Sequence, residues 1–322
     1  MNTRRFGRTG RQVSEIGLGA WPIGQKEGGT GSYGHVDPAE GRRVVQAYVD
    51  AGGTFIDTAR AYGTSEEVIG GCSFMKSGRE SLYIATKTQH TGSVDQIPSI
   101  EMDLETSLKN LGTEYVDLYQ IHNPPDDPDL MKRVIEIFVG LKERGLIRAI
   151  GASVKGPDVT DATVDLACAY IDTGQIDALQ IIYSAFRRRH ERTLEHAKKH
   201  DVAIIARTVL ENGFLSGKYP PGTTFPNDHR RRWGDERLSH LLEAAADLQD
   251  HAVRPPFETL AQVAIKFALM ADGVSTVIPG AKRVSQVESN VAVSQMPDLD
   301  PDIIERIRTG YPGIEDVANT GD

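Results

Sequence analysis

Two hydrophobic rhythms alternate along this chain. Short, mostly apolar runs occupy residues 16–19, 54–57, 82–86, 116–121, 149–153, 178–182, 202–206 and 275–278. Runs of this length that are apolar on both faces read as strands covered on both sides, the pattern of a parallel sheet. Longer stretches over 38–51, 65–70, 94–111, 129–144, 161–173, 191–200, 259–270 and 284–293 repeat apolar positions every three or four residues, which lays one apolar stripe along a helix. Punctuation agrees: Asp37-Pro38 opens one helix and Gly52-Gly53 closes it, while Lys142, Arg144 and Gly145 end another with basic charge and a glycine. Gly7 and Gly10 mark a tight turn ahead of the first run and predict a short opening hairpin.

Eight strands each followed by a helix predict an α/β fold, a (β/α)8 TIM barrel with an N-terminal β-hairpin, in preference to an open doubly wound sheet. The rhythm spans the whole length, so residues 1–322 are expected to form a single barrel domain. The weakest interval is 219–258, where Pro220, Pro221, Pro226, Pro255 and Pro256 bracket a polar segment with its own helical pattern over 235–251. It reads as a long loop after strand seven.

Composition narrows the partners. With 36 basic against 45 acidic residues the net charge is −9, which argues against nucleic acid, because a polyanion demands a basic surface. The two cysteines, Cys72 and Cys168, lie too far apart in sequence to suggest a disulfide framework or a Cys-based zinc site, and they fit a reducing compartment. Residues 1–20 mix Arg4, Arg5, Arg8 and Arg11 with no apolar signal core, and no stretch approaches the roughly 18 apolar residues of a membrane span. A soluble, cytoplasmic protein with no membrane partner is expected; the composition leaves the oligomeric state open.

In such barrels the loops after the strands build the active site. Asp57, Lys87 and His122 stand at or just beyond the C-terminal ends of strands two, three and four, and Tyr62 follows Asp57 by five residues in a loop. A phenol with an ordinary pKa near 10 donates a proton close to neutral pH only when a nearby cation stabilises its anion. Lys87 is that cation, Asp57 holds it charged, and His122 is placed to hydrogen-bond a substrate oxygen. Each residue alone would read as a cap, a surface phenol, a solvated charge or a structural histidine; the set carries the reading. His196 and His200 share one helix face, but no third metal ligand is apparent and Lys198 and Lys199 suggest a solvated helix end, so no metal is expected. The runs 187–189 and 230–232, all arginine, read as solvated loop charge, the first also lying on the active-site rim where it could favour an anionic substrate group or a cofactor phosphate. No P-loop, nucleophile elbow or Gly-x-Gly-x-x-Gly fingerprint is present.

Taken together, the segments 16–21, 57–62, Lys87, 120–124, 151–153, 180–183, 213–219 and 278–290 resemble the aldo-keto reductase family in order and spacing. The resemblance implies a nicotinamide-dependent barrel without a Rossmann domain. It assigns Tyr62 as general acid, Lys87 and Asp57 as its tuning partners and His122 as the group orienting substrate. Ser153 and Gln180 match positions that bind the nicotinamide carboxamide. Leu210, Gly213, Leu215, Ser216, Gly217 and Lys218 match the loop over the pyrophosphate, and Gly280, Lys282, Gln286 and Asn290 match the adenosine end. Trp21 and the segment 225–233 are expected to shape the pocket, Asp57 also adjoining the cofactor.

Three positions depart from the family pattern. Val154 stands where an asparagine is common after the serine, Arg207 where an aromatic residue stacks on the nicotinamide, and Gln286 where an arginine meets a ribose phosphate. A planar guanidinium can stack in place of a ring, and Lys282 and Arg283 remain for a 2′-phosphate. The expectation is therefore an NADPH-dependent enzyme, with NAD possible, that reduces an aldehyde or ketone, its partner being a small carbonyl or alcohol. Two alternatives stay open: an NAD-dependent dehydrogenase of a sugar or pyridoxal-like compound, and a cofactor-binding regulatory subunit like the potassium-channel β subunits that resemble the same family.

Overall fold

A computed structural model of the chain describes residues 1–25, 34–90, 94–156, 158–225 and 229–319. The opening hairpin pairs β1 (Thr3–Arg5) with β2 (Gln12–Ser14) across a turn at Gly7–Thr9. Eight parallel strands follow in sequence order: β3 (Leu18–Gly19), β4 (Phe55–Asp57), β5 (Tyr83–His90), β6 (Val116–His122), β7 (Ile147–Ser153), β8 (Ala178–Ile182), β9 (Ala203–Arg207) and β10 (Val274–Val277). Bridges from Ile16 to Val277 and from Gly19 to Gly280, with Gly17 N–H donating to the Val277 carbonyl at 2.7 Å, join the first strand to the last and close the ring.

The helices are α1 (Pro38–Asp50), α2 (Ser65–Gly70), α3 (Ser99–Leu111), α4 (Pro128–Glu143), α5 (Asp161–Asp172), α6 (Glu191–Lys199), α7 (Gly234–Ala252), α8 (Leu260–Met270), α9 (Val284–Ala292), α10 (Pro301–Thr309) and α11 (Ile314–Ala318). Asp37 caps α1 by accepting from Ala39 and Glu40 N–H, and Asp127 caps α4 through Leu130 N–H, each with proline in the first turn. The barrel helices pack their apolar stripes on the outward residues of the strands, forming one large cluster. The predicted helix over 94–111 begins later, at Ser99, after a short 3-10 turn at Val94–Gln96. The segment after β9 carries α7 as expected. The sequence pattern did not reveal α10 and α11, short polar helices that fold back on α7, where Arg306 and Tyr311 both donate to Asp247.

Inside the ring, side chains alternate by twos. Phe55, Tyr83, Ala85, Leu118, Ala149, Ala178, Ala203 and Ile205 point inward and make the barrel's own core, plugged from below by Phe6 and Val13 of the hairpin. Phe6 packs on Phe55 and Tyr83 at ring separations of 5.4 and 4.9 Å. This apolar plug fills the N-terminal mouth and leaves the C-terminal one for chemistry. Among the described residues no helix is long and apolar enough to cross a membrane.

Candidate active site

Two residues further along each strand, the inward face changes from apolar to polar. Above Phe55 stands Asp57, above Ala85 Lys87, above Leu118 Gln120, above Ala178 Gln180 and above Ile205 Arg207. Strand register brings neighbours level: Lys87 opposes Gln120, and Ser153 opposes Gln180. Lys87, 0% exposed, donates from Nζ to Asp57 Oδ2 at 2.7 Å and to the Thr58 carbonyl at 2.8 Å. The other carboxylate oxygen of Asp57 accepts from Gln120 Nε2 at 2.9 Å and from Gln180 Nε2 at 2.7 Å. A buried ion pair is tolerable only when its remaining donors and acceptors are met in this way.

Tyr62 covers the lysine, its ring centroid 4.7 Å from Lys87 Nζ. The loop that carries it crosses the turn at Trp21–Gly24 so closely that a Cβ on Gly24 would lie 1.9 Å from the Tyr62 carbonyl oxygen, and one on Gly63 2.1 Å from that of Gly24. Only glycine allows that crossing. His122 sets its ring edge-on to Tyr62, centroids 6.0 Å apart. Its Nδ1 lies 3.3 Å from the Thr88 carbonyl, which can only accept, so Nδ1 is the donor in this contact. The structure thus brings Asp57, Tyr62, Lys87 and His122 to one rim.

Beside them opens a cavity of ≈ 730 Å³. Of the residues expected at a cofactor, Trp21, Asp57, Gln180, Arg207, Leu210, Gly213, Ser216, Lys218, Gly280, Lys282 and Gln286 line it, together with Tyr62. Four others stand outside its lining. Ser153 sits beneath Gln180, 3.5 Å from its Oε1; Leu215 is packed into the core; Gly217 turns the chain against Gln249; and Asn290 is buried along α9. The loop after β9 is left-handed at Thr208, Glu211, Asn212 and Gly213, with φ of 61°, 45°, 54° and 93°. Such backbone is costly for a β-branched residue, and the turns close on themselves: Glu211 N–H donates to the Thr208 carbonyl and Gly213 N–H to the Leu210 carbonyl, each at 2.8 Å.

Arg207 lines the cavity with a guanidinium that donates to the Val154 carbonyl at 3.2 Å and Thr208 Oγ1 at 3.4 Å, while its Nε is sealed from solvent without a partner. Burial, with Arg187 and Arg232 nearby, lowers its pKa to about 10. A planar cation so poorly matched by the protein fits an aromatic or anionic group in the cavity, as a dinucleotide supplies. The same surroundings hold His190 neutral, its pKa lowered to about 3 by burial and by Arg207 and Arg187.

Two arginine readings need correction. Arg187 is not solvated loop charge: it is 1% exposed and pairs with Glu211 at 2.8 Å, and Ser184 donates to the same carboxylate. Arg230 is likewise buried, stacked on Phe225 and Tyr219 at 4.0 and 4.6 Å from their centroids. A run of like charges is solvated by default, and only the tertiary partners reverse that. Residues 226–228 of the segment expected to shape the pocket lie outside the described residues; His229, beside Trp21 at 5.6 Å between rings, and Arg232 do line the cavity. Gln120 and His229 escaped the sequence reading as individual residues; the i+2 step from Leu118 marked Gln120, and nothing local marked His229.

Comparison with known proteins agrees with this geometry. The aldo/keto reductase family model matches residues 15–311. The chain is 33% identical over 314 residues to the aldo-keto reductase str7 of Strobilurus tenacellus, covering 91% of this chain and 87% of that one. It is 30% identical over 295 residues to the aldo-keto reductase YhdN of Bacillus subtilis, covering 87% and 85%. Among solved structures, aldo-keto reductase AKR11C1 from Bacillus halodurans superposes with a TM-score of 0.74 at 26% identity, covering 96% of this chain and 95% of that one. This chain belongs to the aldo/keto reductase family, whose members are NAD(P)-dependent oxidoreductases acting on carbonyl and alcohol groups.

Proposed function

We propose that the protein is a cytoplasmic, single-domain carbonyl reductase that uses NADPH and takes the transferred proton from Tyr62. The observation that carries this is the buried Lys87 ammonium, fixed by Asp57 and centred 4.7 Å from the Tyr62 ring. A bound nicotinamide supplies hydride; the protein's share is the proton and the geometry. As the Tyr62 proton leaves toward a carbonyl oxygen, negative charge grows on the phenol, and Lys87 stabilises it in a site that keeps bulk water from the ion pair. In this reading Gln180, with Ser153 bonded to it behind the cavity wall, meets the carboxamide, the loop after β9 with Lys218 a pyrophosphate, and Lys282 with Arg283 at the head of α9 a 2′-phosphate. That cluster of cations supports NADPH over NADH. The free thiols of Cys72 and Cys168 suit the cytoplasm.

A second reading runs the same groups in reverse: Tyr62, with Lys87 holding its anion, takes a proton from an alcohol as the hydride leaves it.

One experiment addresses both. Tyr62→Phe keeps the ring over Lys87 and removes only the hydroxyl. Across a panel of aldehydes, ketones and alcohols with both cofactors, its turnover falls at least a thousandfold, in line with general acid–base and electrostatic terms combined. NADPH titrated by fluorescence quenching binds as tightly as to the wild type. Turnover of the variant near the wild-type rate would reject Tyr62 as the acid, and a higher wild-type kcat/KM with NADH would reject the cofactor preference.

A further inference from the structure

We propose that the protein carries a divalent transition-metal site of His2Asp type at the end of the barrel opposite the active site, built from His196, His200 and Asp172. Sequence alone showed two histidines one turn apart on α6 and no third ligand. The structure supplies it: Asp172, the last residue of α5, lies with its Oδ1 2.6 Å from His196 Nε2. The two imidazoles face each other at 4.5 Å between ring centroids, and one donor atom from each of the three residues lies within 4.8 Å of the others. Histidines at i and i+4 with a carboxylate from a neighbouring element are a donor set for zinc, nickel, cobalt or copper, whereas magnesium and calcium require more oxygen ligands.

The frame under the cluster is fixed. Arg8, from the opening hairpin, donates to the Gly174 carbonyl just beyond α5 at 2.8 Å and to the His200 carbonyl at 2.9 Å, tying both helix ends to the barrel's N-terminal mouth. Two of the nearby cations are engaged elsewhere, Lys198 with Asp272 at 2.5 Å and Arg192 with Asp165, while Lys199 borders the same depression. The side chains of Asp172 and His196 are 57% and 27% exposed, so an ion reaches them without unfolding and a water completes the tetrahedron. Metal entry replaces the hydrogen bond between His196 and Asp172 with two coordinate bonds. It cross-links α5 to α6 at the face where barrels are stabilised rather than where they react.

The test uses the full-length chain free of any polyhistidine tag. Calorimetric titration of the wild type with zinc, nickel or cobalt chloride gives one equivalent bound, and the melting temperature rises by a few degrees at metal well above Kd, reversed by EDTA; magnesium chloride does neither. His200→Ala leaves the His196–Asp172 pair in place, so the variant folds, and it loses at least tenfold in metal affinity together with the melting shift. Cys168→Ser, which alters a thiol bordering the same depression, binds as the wild type does. His200→Ala also retains the wild-type turnover without metal, because the site is remote from Tyr62. Absence of binding by the wild type, or equally tight binding by His200→Ala, overturns the proposal.

Discussion

Arg207→Met makes the protein more stable and a poorer binder of its cofactor. Arg207 has no carboxylate within ion-pair reach among the described residues, and its sealed Nε has no acceptor. Burial, only partly offset by the charges of Tyr62 and Asp57, lowers its pKa below the ordinary arginine value to about 10, a penalty on the folded state on the order of 3 kcal/mol at about 1.4 kcal/mol per unit. Water in the cavity offsets part of this, and the two long hydrogen bonds lost with the guanidinium contribute about 0.5 kcal/mol each. Methionine keeps the unbranched stem and removes the charge, so the net gain is about 1–2 kcal/mol. The sign follows from linkage: a cation whose folded pKa lies below its unfolded one destabilises at every pH under the folded value, and the penalty fades only as pH rises through about 10 toward 12.5. Urea unfolding at pH 6 and pH 8 therefore shows the same rise in midpoint at unchanged m. On the proposed function, affinity for the nicotinamide dinucleotide falls as well, because the guanidinium that would meet it is gone. A variant less stable than the wild type, or a gain confined to one of these pH values, refutes the reasoning.

Two further substitutions probe the buried charges. Lys87→Met leaves Asp57, 1% exposed, without its ammonium and with only the Gln120 and Gln180 amides as partners; unfolding free energy falls by about 3–5 kcal/mol, measured by urea titration, and turnover is lost with it. His190 has a folded pKa of about 3, below the ordinary 6.5, so its contribution is whole above pH 6.5 and is lost as pH falls toward 3, amounting to about 5 kcal/mol over that window. His190→Gln keeps an amide for Thr193 Oγ1, 3.0 Å from His190 Nδ1, and flattens the acid limb of the stability curve; an unchanged acid limb would show that other groups govern it.

The barrel strands were legible because parallel strands are covered on both faces and therefore read as unbroken apolar runs. Their observed limits move by a residue or two, as at β9, which runs to Arg207 instead of stopping at Ala206, except that β5 continues four residues further, to His90. The tail was not legible. α10 and α11 are short, and they are held by tertiary partners such as Asp247 and Trp233, whose Nε1 donates to the Ala318 carbonyl at 2.8 Å. No local periodicity encodes those contacts. Arg187 failed for the same reason in reverse, since a buried arginine is recognised by its carboxylate, and Glu211 lies on the loop after the next strand.

The polar residues of the inner rim can be traced for a reason that lies in the pleat. Asp57, Lys87, Gln120 and Gln180 each sit two residues beyond an inward apolar side chain, so a change from apolar to polar at that step announces where the barrel core ends and the rim begins. Parity places the residues on the inner face, and register decides which of them meet. Lys87 stands level with Gln120 while Asp57 stands level with Ala85, one layer lower, so the Asp57 carboxylate reaches up to lysine on one oxygen and to both amides on the other. Glutamate at position 57 would keep charge and parity, yet its extra methylene would carry the carboxylate away from the one position at which Lys87, Gln120 and Gln180 all reach it. Tyr62 follows no such rule. It belongs to a loop, and the crossing of Gly24 and Gly63 that sets it over Lys87 joins two segments that sequence periodicity treats as unrelated. Strand residues of the site are therefore readable from spacing, whereas the residue assigned the proton is placed by a glycine contact visible only in three dimensions.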